Sequence, residues 1–273
     1  MHQTLVSVQL MAENLEHFRL LDCRAQLGDV DFGRRAFAAG HLPGALHADL
    51  DRDFAAAPGT GGRHPLPDPQ ALAATVRGWG ITDDTQVVVY DDAGGAFAAR
   101  AWWCLRWLGH QAVAVLDGGL AAWPGELTQA VPEFPTGHFS IRPSLTRTVD
   151  ADTLQNLIAE ASAPTNALTM LDARTQARFN GEAEPIDPLA GHILGARCMP
   201  FQDNLDPDGL FKSPAELAQR FGKLPQDTIC YCGSGVTAAH NILAMLAAGC
   251  PEPILYPGSW SEWITDPSRP RAP

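Results

Sequence analysis

The sequence predicts an α/β protein of two tandem domains, each a mainly parallel sheet flanked by helices, and two observations carry that prediction. The first is internal repetition. Leu21-Asp22-Cys23-Arg24 returns as Leu171-Asp172-Ala173-Arg174, and Gly40-His41-Leu42-Pro43-Gly44-Ala45 returns as Gly191-His192-Ile193-Leu194-Gly195-Ala196. The stretch from Leu116 to Trp123 is echoed from Tyr256 to Trp263. The second is alternation: short β-branched and apolar runs give way to segments with helical spacing, the pattern of parallel strands joined by crossover helices.

Taken in order, each half repeats one series of elements. A strand ends in Leu-Asp-x-Arg, and a helix, a Gly-His turn, a capped helix, a central strand with its loop, a further helix and a last strand follow. In the first half, Asp68-Pro69 supplies an N-cap and first-turn proline for a helix from Gln70 to Trp79. In the second, Ser213-Pro214-Ala215-Glu216 reads as a capping box ahead of Leu217 to Phe221. The stretch from Pro124 to Thr148 is rich in Pro, Gly, Ser and Thr and weakly periodic, which marks a linker. The domains are accordingly expected at 1–130 and 149–273, with 131–148 between them. The tail from Asp266 to Pro273 is expected to fray. His41 and His192 occupy the same turn in both halves, so they should hold the turn rather than take part in chemistry.

Composition excludes several function classes. The 273 residues are 45% hydrophobic and 18% charged, the balance of a globular protein. Nineteen Lys and Arg against 31 Asp and Glu leave a net charge of −12, which would repel nucleic acid or an anionic membrane surface. The N-terminal residues lack a basic region with an apolar core, and no run is long enough to span a bilayer, so neither leader nor membrane is expected and the location read is cytoplasmic. Six cysteines in a chain able to build its own core need no disulfide framework. Cys230 and Cys232 lie two apart with no second ligand pair at metal-site spacing, so no metal is expected.

The chemistry is expected at Thr228 to Gly249, TICYCGSGVTAAHNILAMLAAG. Ile229 and Tyr231 read as a strand, and Ala238, Ala239, Ile242, Leu243 and Leu246 recur at helical spacing. Cys232 therefore opens a strand-to-helix turn. Gly233 and Gly235 let that turn bring successive backbone N–H groups round toward the sulfur, and the helix that follows aims its N-terminal dipole at the same point. Both effects favour thiolate over thiol and make Cys232 a candidate nucleophile. The aligned position in the first half is Asp91, which cannot take up and pass on a sulfur atom, so that half is expected to be catalytically silent.

Cys232 to Ala238, Cys-Gly-Ser-Gly-Val-Thr-Ala, resembles the active-site loop of the 3-mercaptopyruvate sulfurtransferases, the two-domain branch of the rhodanese superfamily, and the resemblance extends over nearly the whole chain. It implies sulfur transfer through a Cys232 persulfide to a thiol acceptor such as thioredoxin, or to cyanide; that chemistry needs no cofactor, and the protein is expected to be a monomer. It further implies that Gly233, Gly235, Val236 and Thr237 line the substrate, that Arg178 binds its carboxylate, and that Ser234, His64 and Asp51 form a proton relay. A second family arginine, in a Glu-Pro-Arg segment, is replaced here: the segment reads Glu184-Pro185-Ile186-Asp187. With Arg178 the remaining guanidinium, mercaptopyruvate binding is expected to be weak and to tighten in Ile186→Arg.

Two other readings compete. A Cys-x5-Arg phosphatase would need arginine where Ala238 stands. Thiosulfate sulfurtransferases of the same family carry basic residues in the loop, whereas Gly233, Ser234 and Gly235 are neutral, which argues for 3-mercaptopyruvate as the donor. A non-catalytic sulfur carrier or protein-binding module is the third class.

Overall fold

The computed structural model describes residues 1–161 and 168–273. It resolves into two compact units, one comprising Met1–Ala56, Leu66–Thr146 and Pro207–Phe211, the other Ala57–Pro65, Arg147–Asp206 and Lys212–Pro273.

Unit 1 holds a five-stranded, wholly parallel sheet of β1 (Leu5–Val6), β2 (Arg19–Asp22), β3 (Ala45–His47), β4 (Val87–Tyr90) and β5 (Val113–Leu116), in the order β1-β5-β4-β2-β3. Its main helices are α1 (Val8–Glu13), α2 (Phe32–Ala39), α3 (Pro69–Gly78) and α4 (Ala98–Trp107). Every residue of β4 is buried, as expected of a central strand covered on both faces. α3 begins where the sequence placed its cap: the Asp68 side chain accepts from the N–H groups of Gln70 and Ala71, with Pro69 in the first turn.

Unit 2 repeats the plan with β6 (Arg147–Thr148), β7 (Met170–Asp172), β9 (Arg197–Cys198), β10 (Ile229–Tyr231) and β11 (Ile254–Leu255), in the order β6-β11-β10-β7-β9 and again all parallel. Its helices are α5 (Ala151–Ala161), α6 (Gln176–Phe179), α7 (Pro214–Phe221), α8 (Val236–Ala247) and α9 (Ser259–Trp263). The capping box at Ser213 is formed, its hydroxyl accepting from Glu216 N while the Glu216 carboxylate accepts from Ser213 N.

The repeated motifs have a common structural cause. At the end of β2, Arg24 forks onto Asp22, with Nη2 donating to Oδ2 at 2.6 Å, and the same nitrogen donates to the Gly40 carbonyl at 2.7 Å. The Tyr90 hydroxyl donates to Asp22 at 2.9 Å and accepts from Leu42 N. Unit 2 copies this: Arg174 Nη2 donates to Asp172 and to the Gly191 carbonyl, both at 2.7 Å, and the Tyr231 hydroxyl accepts from Ile193 N. The histidines of the two turns also match. His41 Nδ1 lies 2.8 Å from the Phe37 carbonyl and His192 Nδ1 2.8 Å from that of Phe179, and each ring stacks on the same phenylalanine at 3.7 Å. They hold their turns.

Two expectations about irregular segments change. The proline-rich stretch after Trp123 packs on unit 1: Thr128 bridges to His41, Gly137 N donates to the Arg77 carbonyl at 2.8 Å, and Arg77 Nε donates to that of Phe139. The tail does not fray. Arg271–Ala272 forms β12, antiparallel to β8 (His192–Ile193), and the Trp263 indole donates to the Pro270 carbonyl at 3.0 Å. Short tail sequences carry no periodicity, and the partner strand that fixes this one lies far away in sequence. Among the described residues no helix is long and apolar enough to cross a membrane.

The Asp22–Arg24 pair is buried, Asp22 fully. Arg24→Met should leave an uncompensated buried carboxylate and cost about 3–5 kcal/mol, read as a lower urea midpoint for unfolding of the purified protein. An unchanged midpoint would show that Asp22 does not depend on its arginine.

Candidate active site

The site is built at the carboxyl end of β10, the place where open α/β sheets bind ligands. Cys232 follows Tyr231 directly, is 2% exposed, and is separated from α8 by Gly233, Ser234 and Gly235. Gly235 has φ +75°, and a Cβ there would sit 2.3 Å from the Pro257 carbonyl oxygen, so both the backbone conformation and the close approach require glycine. Val236 and Thr237 form the first turn of the twelve-residue α8, whose unpaired N–H groups and dipole end at the loop.

A second segment clamps the loop from outside. Trp260 N donates to the Cys232 carbonyl at 3.0 Å and Ser261 N to that of Gly233 at 2.9 Å. The Cys232 N–H itself donates to Ser259 Oγ at 3.1 Å, and that hydroxyl donates to the Tyr256 carbonyl at 2.9 Å. Ser259 is the one non-glycine with positive φ, +54°, among the described residues. The aligned position in unit 1 is Gly119, at φ +56°, with Leu120 N donating to the Asp91 carbonyl. Unit 1 thus uses the residue that suits this backbone, while unit 2 retains a strained serine whose hydroxyl fixes the cysteine's peptide group.

Unit 1 also shows what such a strand-to-helix turn attracts. The Asp91 carboxylate, fully buried, accepts from Ala93 N and Gly95 N through Oδ1 and from Phe97 N and Ala98 N through Oδ2, all at 2.8–2.9 Å. A ring of backbone N–H groups there encloses an anion belonging to the chain itself.

Around the cysteine, Ser234 Oγ lies 2.7 Å from His64 Nδ1, and both residues are buried. His64 arrives on the Ala57–Pro65 segment, which belongs to unit 2 and is tied down by Arg63 N donating to Ser261 Oγ at 3.1 Å. Asp51 lies in unit 1, half-buried in the turn after β3, with its carboxyl pushed above the usual range chiefly by burial and then by Asp49.

Arg178, in α6, places its Nη2 and Nη1 3.4 and 3.6 Å from where a Cβ on Gly233 would stand, and Arg63 Nη2 lies 2.7 Å from the same point. The loop is neutral in sequence yet has two guanidiniums beside it. Burial lowers the pKa of Arg63, with the Cys232 charge acting in the opposite sense. Behind the arginines stand two buried acids. Glu184 takes Arg178 through Nε and Nη2 at 2.7–3.1 Å and also Arg174 Nη1 at 3.3 Å. Asp187 bridges, with Oδ2 on Arg178 at 3.0 Å and Oδ1 on Arg63.

The structure therefore brings Cys232, Gly233, Ser234, Gly235, Val236, Thr237, His64 and Arg178 together. The expectation of a lone arginine is corrected: Ile186 is 41% exposed, and the second guanidinium comes from Arg63. Arg197 is exposed on β9. Sequence reasoning missed Arg63, Asp187 and Ser259. Arg63 sits in a Gly/Pro-rich loop with no periodicity, and Asp187 lies one residue beyond the position aligned with the family arginine. Ser259 could have been found, since the repeat alignment sets it against Gly119.

The remaining cysteines lie outside the loop. Burial pushes the thiols of Cys23, Cys104, Cys230 and Cys250 up, and that of Cys198 to about 11. Nearby carboxylates add to the effect at Cys23 and Cys198, and the Cys232 charge adds to it at Cys230.

The clamp gives a prediction. Ser259→Gly and Ser259→Ala both remove the hydroxyl, but the first also relieves backbone strain, so it should be more stable than the second by about 1 kcal/mol. Both should form the sulfur adduct about tenfold more slowly than the wild type, the equivalent of one lost hydrogen bond. Single-turnover kinetics and thermal melts decide it, and a Ser259→Gly variant as fast as the wild type would show that the hydroxyl has no part in placing the cysteine.

Comparisons with known proteins identify the family. The rhodanese-like domain family matches residues 7–126 and again 150–266. The chain is 51% identical to the protein named probable 3-mercaptopyruvate sulfurtransferase in Pseudomonas aeruginosa, over 99% of this chain and 98% of that one. It is 34% identical to thiosulfate sulfurtransferase of Mus musculus, over 97% and 93%. Among solved structures, SseA from Escherichia coli, described as a 3-mercaptopyruvate sulfotransferase, superimposes with a TM-score of 0.79 at 32% identity, covering 96% of this chain and 100% of that one. With both halves matched and a relative this close over its full length, the chain belongs to the rhodanese-like family, as a tandem-domain sulfurtransferase.

Proposed function

We propose that the protein takes sulfur from 3-mercaptopyruvate onto Cys232 and passes it to a thiol acceptor such as thioredoxin, or to cyanide. The observation that carries this reading is a buried cysteine opening the turn into α8, with the guanidiniums of Arg63 and Arg178 against the adjacent glycine. The Pseudomonas relative's name supports the choice of donor.

The Cys232 thiolate attacks the donor's sulfur. A sulfur–sulfur bond forms, the carbon–sulfur bond breaks with its electron pair going to carbon, and the organic part leaves as the enolate of pyruvate. In this reading Arg178 and Arg63 donate to the carboxylate and keto oxygens, stabilising the enolate as its charge develops. The enolate carbon takes a proton through Ser234, whose hydroxyl is paired with His64. Asp51 as the third member of the relay rests on the family resemblance alone. The loop N–H groups at Gly233, Gly235, Val236 and Thr237 receive the negative persulfide sulfur, as those of unit 1 receive the Asp91 carboxylate. A thiolate acceptor then attacks the outer sulfur and returns Cys232 to its thiolate. Unit 1, with a carboxylate where unit 2 has the cysteine, is catalytically silent in this scheme. No step calls on a metal or organic cofactor, and the reading keeps the protein in the cytoplasm.

Intact-mass measurement after treatment with 3-mercaptopyruvate should show one added sulfur, lost in Cys232→Ser and kept in Cys198→Ser and Cys250→Ser. An adduct surviving Cys232→Ser would defeat the assignment. Steady-state kcat/KM should favour 3-mercaptopyruvate over thiosulfate, and Arg178→Ala should raise KM for mercaptopyruvate. A wild-type preference for thiosulfate would overturn the choice of donor.

A further inference from the structure

We propose that Asp187 sets the choice of sulfur donor, by offsetting part of the positive charge of the two guanidiniums that flank the cysteine loop while holding both in place; the inference rests on the Cys232 reading above.

The loop sequence alone gives a neutral anion site, and Arg63 and Arg178 beside Gly233 would make it strongly positive. A site of that kind would draw a dianion such as thiosulfate to the thiolate. The structure offsets this with two acids, Asp187 on Arg63 and Arg178, and Glu184 on Arg178 and Arg174. The Asp187 and Glu184 side chains are 2% and 4% exposed, so solvent screens them little. Glu184 has a structural task as well: its Oε1 accepts from the N–H groups of both Ile186 and Asp187, closing the turn that carries Asp187 inward, and it pairs with the buried Arg174. Asp187 has no such backbone duty among the described hydrogen bonds. Its two oxygens go to the two arginines that meet the loop.

The guanidiniums thereby become directional donors in a weaker positive field. A monoanion with a planar carboxylate beside a keto group uses the direction of the N–H groups. A tetrahedral dianion depends more on net charge and is brought up against the buried Asp187 carboxylate. Asp187 therefore penalises thiosulfate more than mercaptopyruvate. It is a positioning and specificity residue acting through Arg63 and Arg178.

The test is Asp187→Asn, which keeps the shape and one accepting oxygen but removes the charge. The kcat/KM for thiosulfate divided by that for mercaptopyruvate should rise about tenfold or more, while Asp187→Glu should stay within about threefold of the wild-type ratio. If the role of Asp187 were structural only, both donors would lose alike. An unchanged or lower ratio in Asp187→Asn overturns the proposal. Should Asp187→Asn fail to fold, Asp187→Ser decides the matter, because it removes the charge without adding bulk: the same ratio should rise, and an unchanged or lower ratio overturns the proposal. Intact mass separates this inference from the one beneath it. A wild-type protein that gains no sulfur on Cys232 defeats the functional reading, whereas a persulfide on Cys232 with an unmoved ratio defeats the role of Asp187 alone.

Discussion

A parallel strand that turns sharply into a helix leaves backbone N–H groups converging on one point, a setting that favours an anion. Unit 1 supplies one from its own side chain: four N–H groups close on the Asp91 carboxylate. Unit 2 puts Cys232 at the same place in the repeat. In the proposed function a thiolate, and after transfer a persulfide, is that anion, and the arrangement that shapes a structural turn in one half serves sulfur transfer in the other.

What surrounds the loop follows from keeping that turn fixed while leaving its anion exchangeable. The clamp from Tyr256 to Ser261 holds the peptide groups of Cys232 and Gly233 from outside, and it tolerates a strained Ser259 to do so. The segment carrying Arg63 and His64 is tied to the same clamp through Ser261. Cys232, His64 and Arg63 thus share one anchor. The buried Asp172–Arg174 pair sets the end of the neighbouring strand β7, from which α6 and Arg178 follow.

The fold was legible because duplication writes each device twice. Leu-Asp-x-Arg and the Gly-His turn recur since the same arginine must satisfy the same carboxylate and the same glycine carbonyl in both units. The helix caps at Asp68 and Ser213 are local and readable for that reason. The cysteine loop was readable too, as a strand-to-helix turn with glycines just after Cys232. What could not be read were the partnerships made across long sequence separations. Arg63 and Asp187 stand 124 residues apart, and neither neighbourhood shows that they meet. The tail finds a strand partner at His192–Ile193, which lies far from it in the chain. The Ile186 position misled because the second guanidinium beside the loop comes from Arg63, on a segment far from Ile186 in the chain.

The account stands on the loop N–H groups receiving the transferred sulfur. A high-resolution crystal structure of protein treated with 3-mercaptopyruvate measures this directly. It should show a second sulfur on Cys232 Sγ lying within about 3.5 Å of backbone nitrogens in the stretch from Gly233 to Thr237. An added sulfur on another cysteine, or one on Cys232 turned away from those nitrogens, would contradict it.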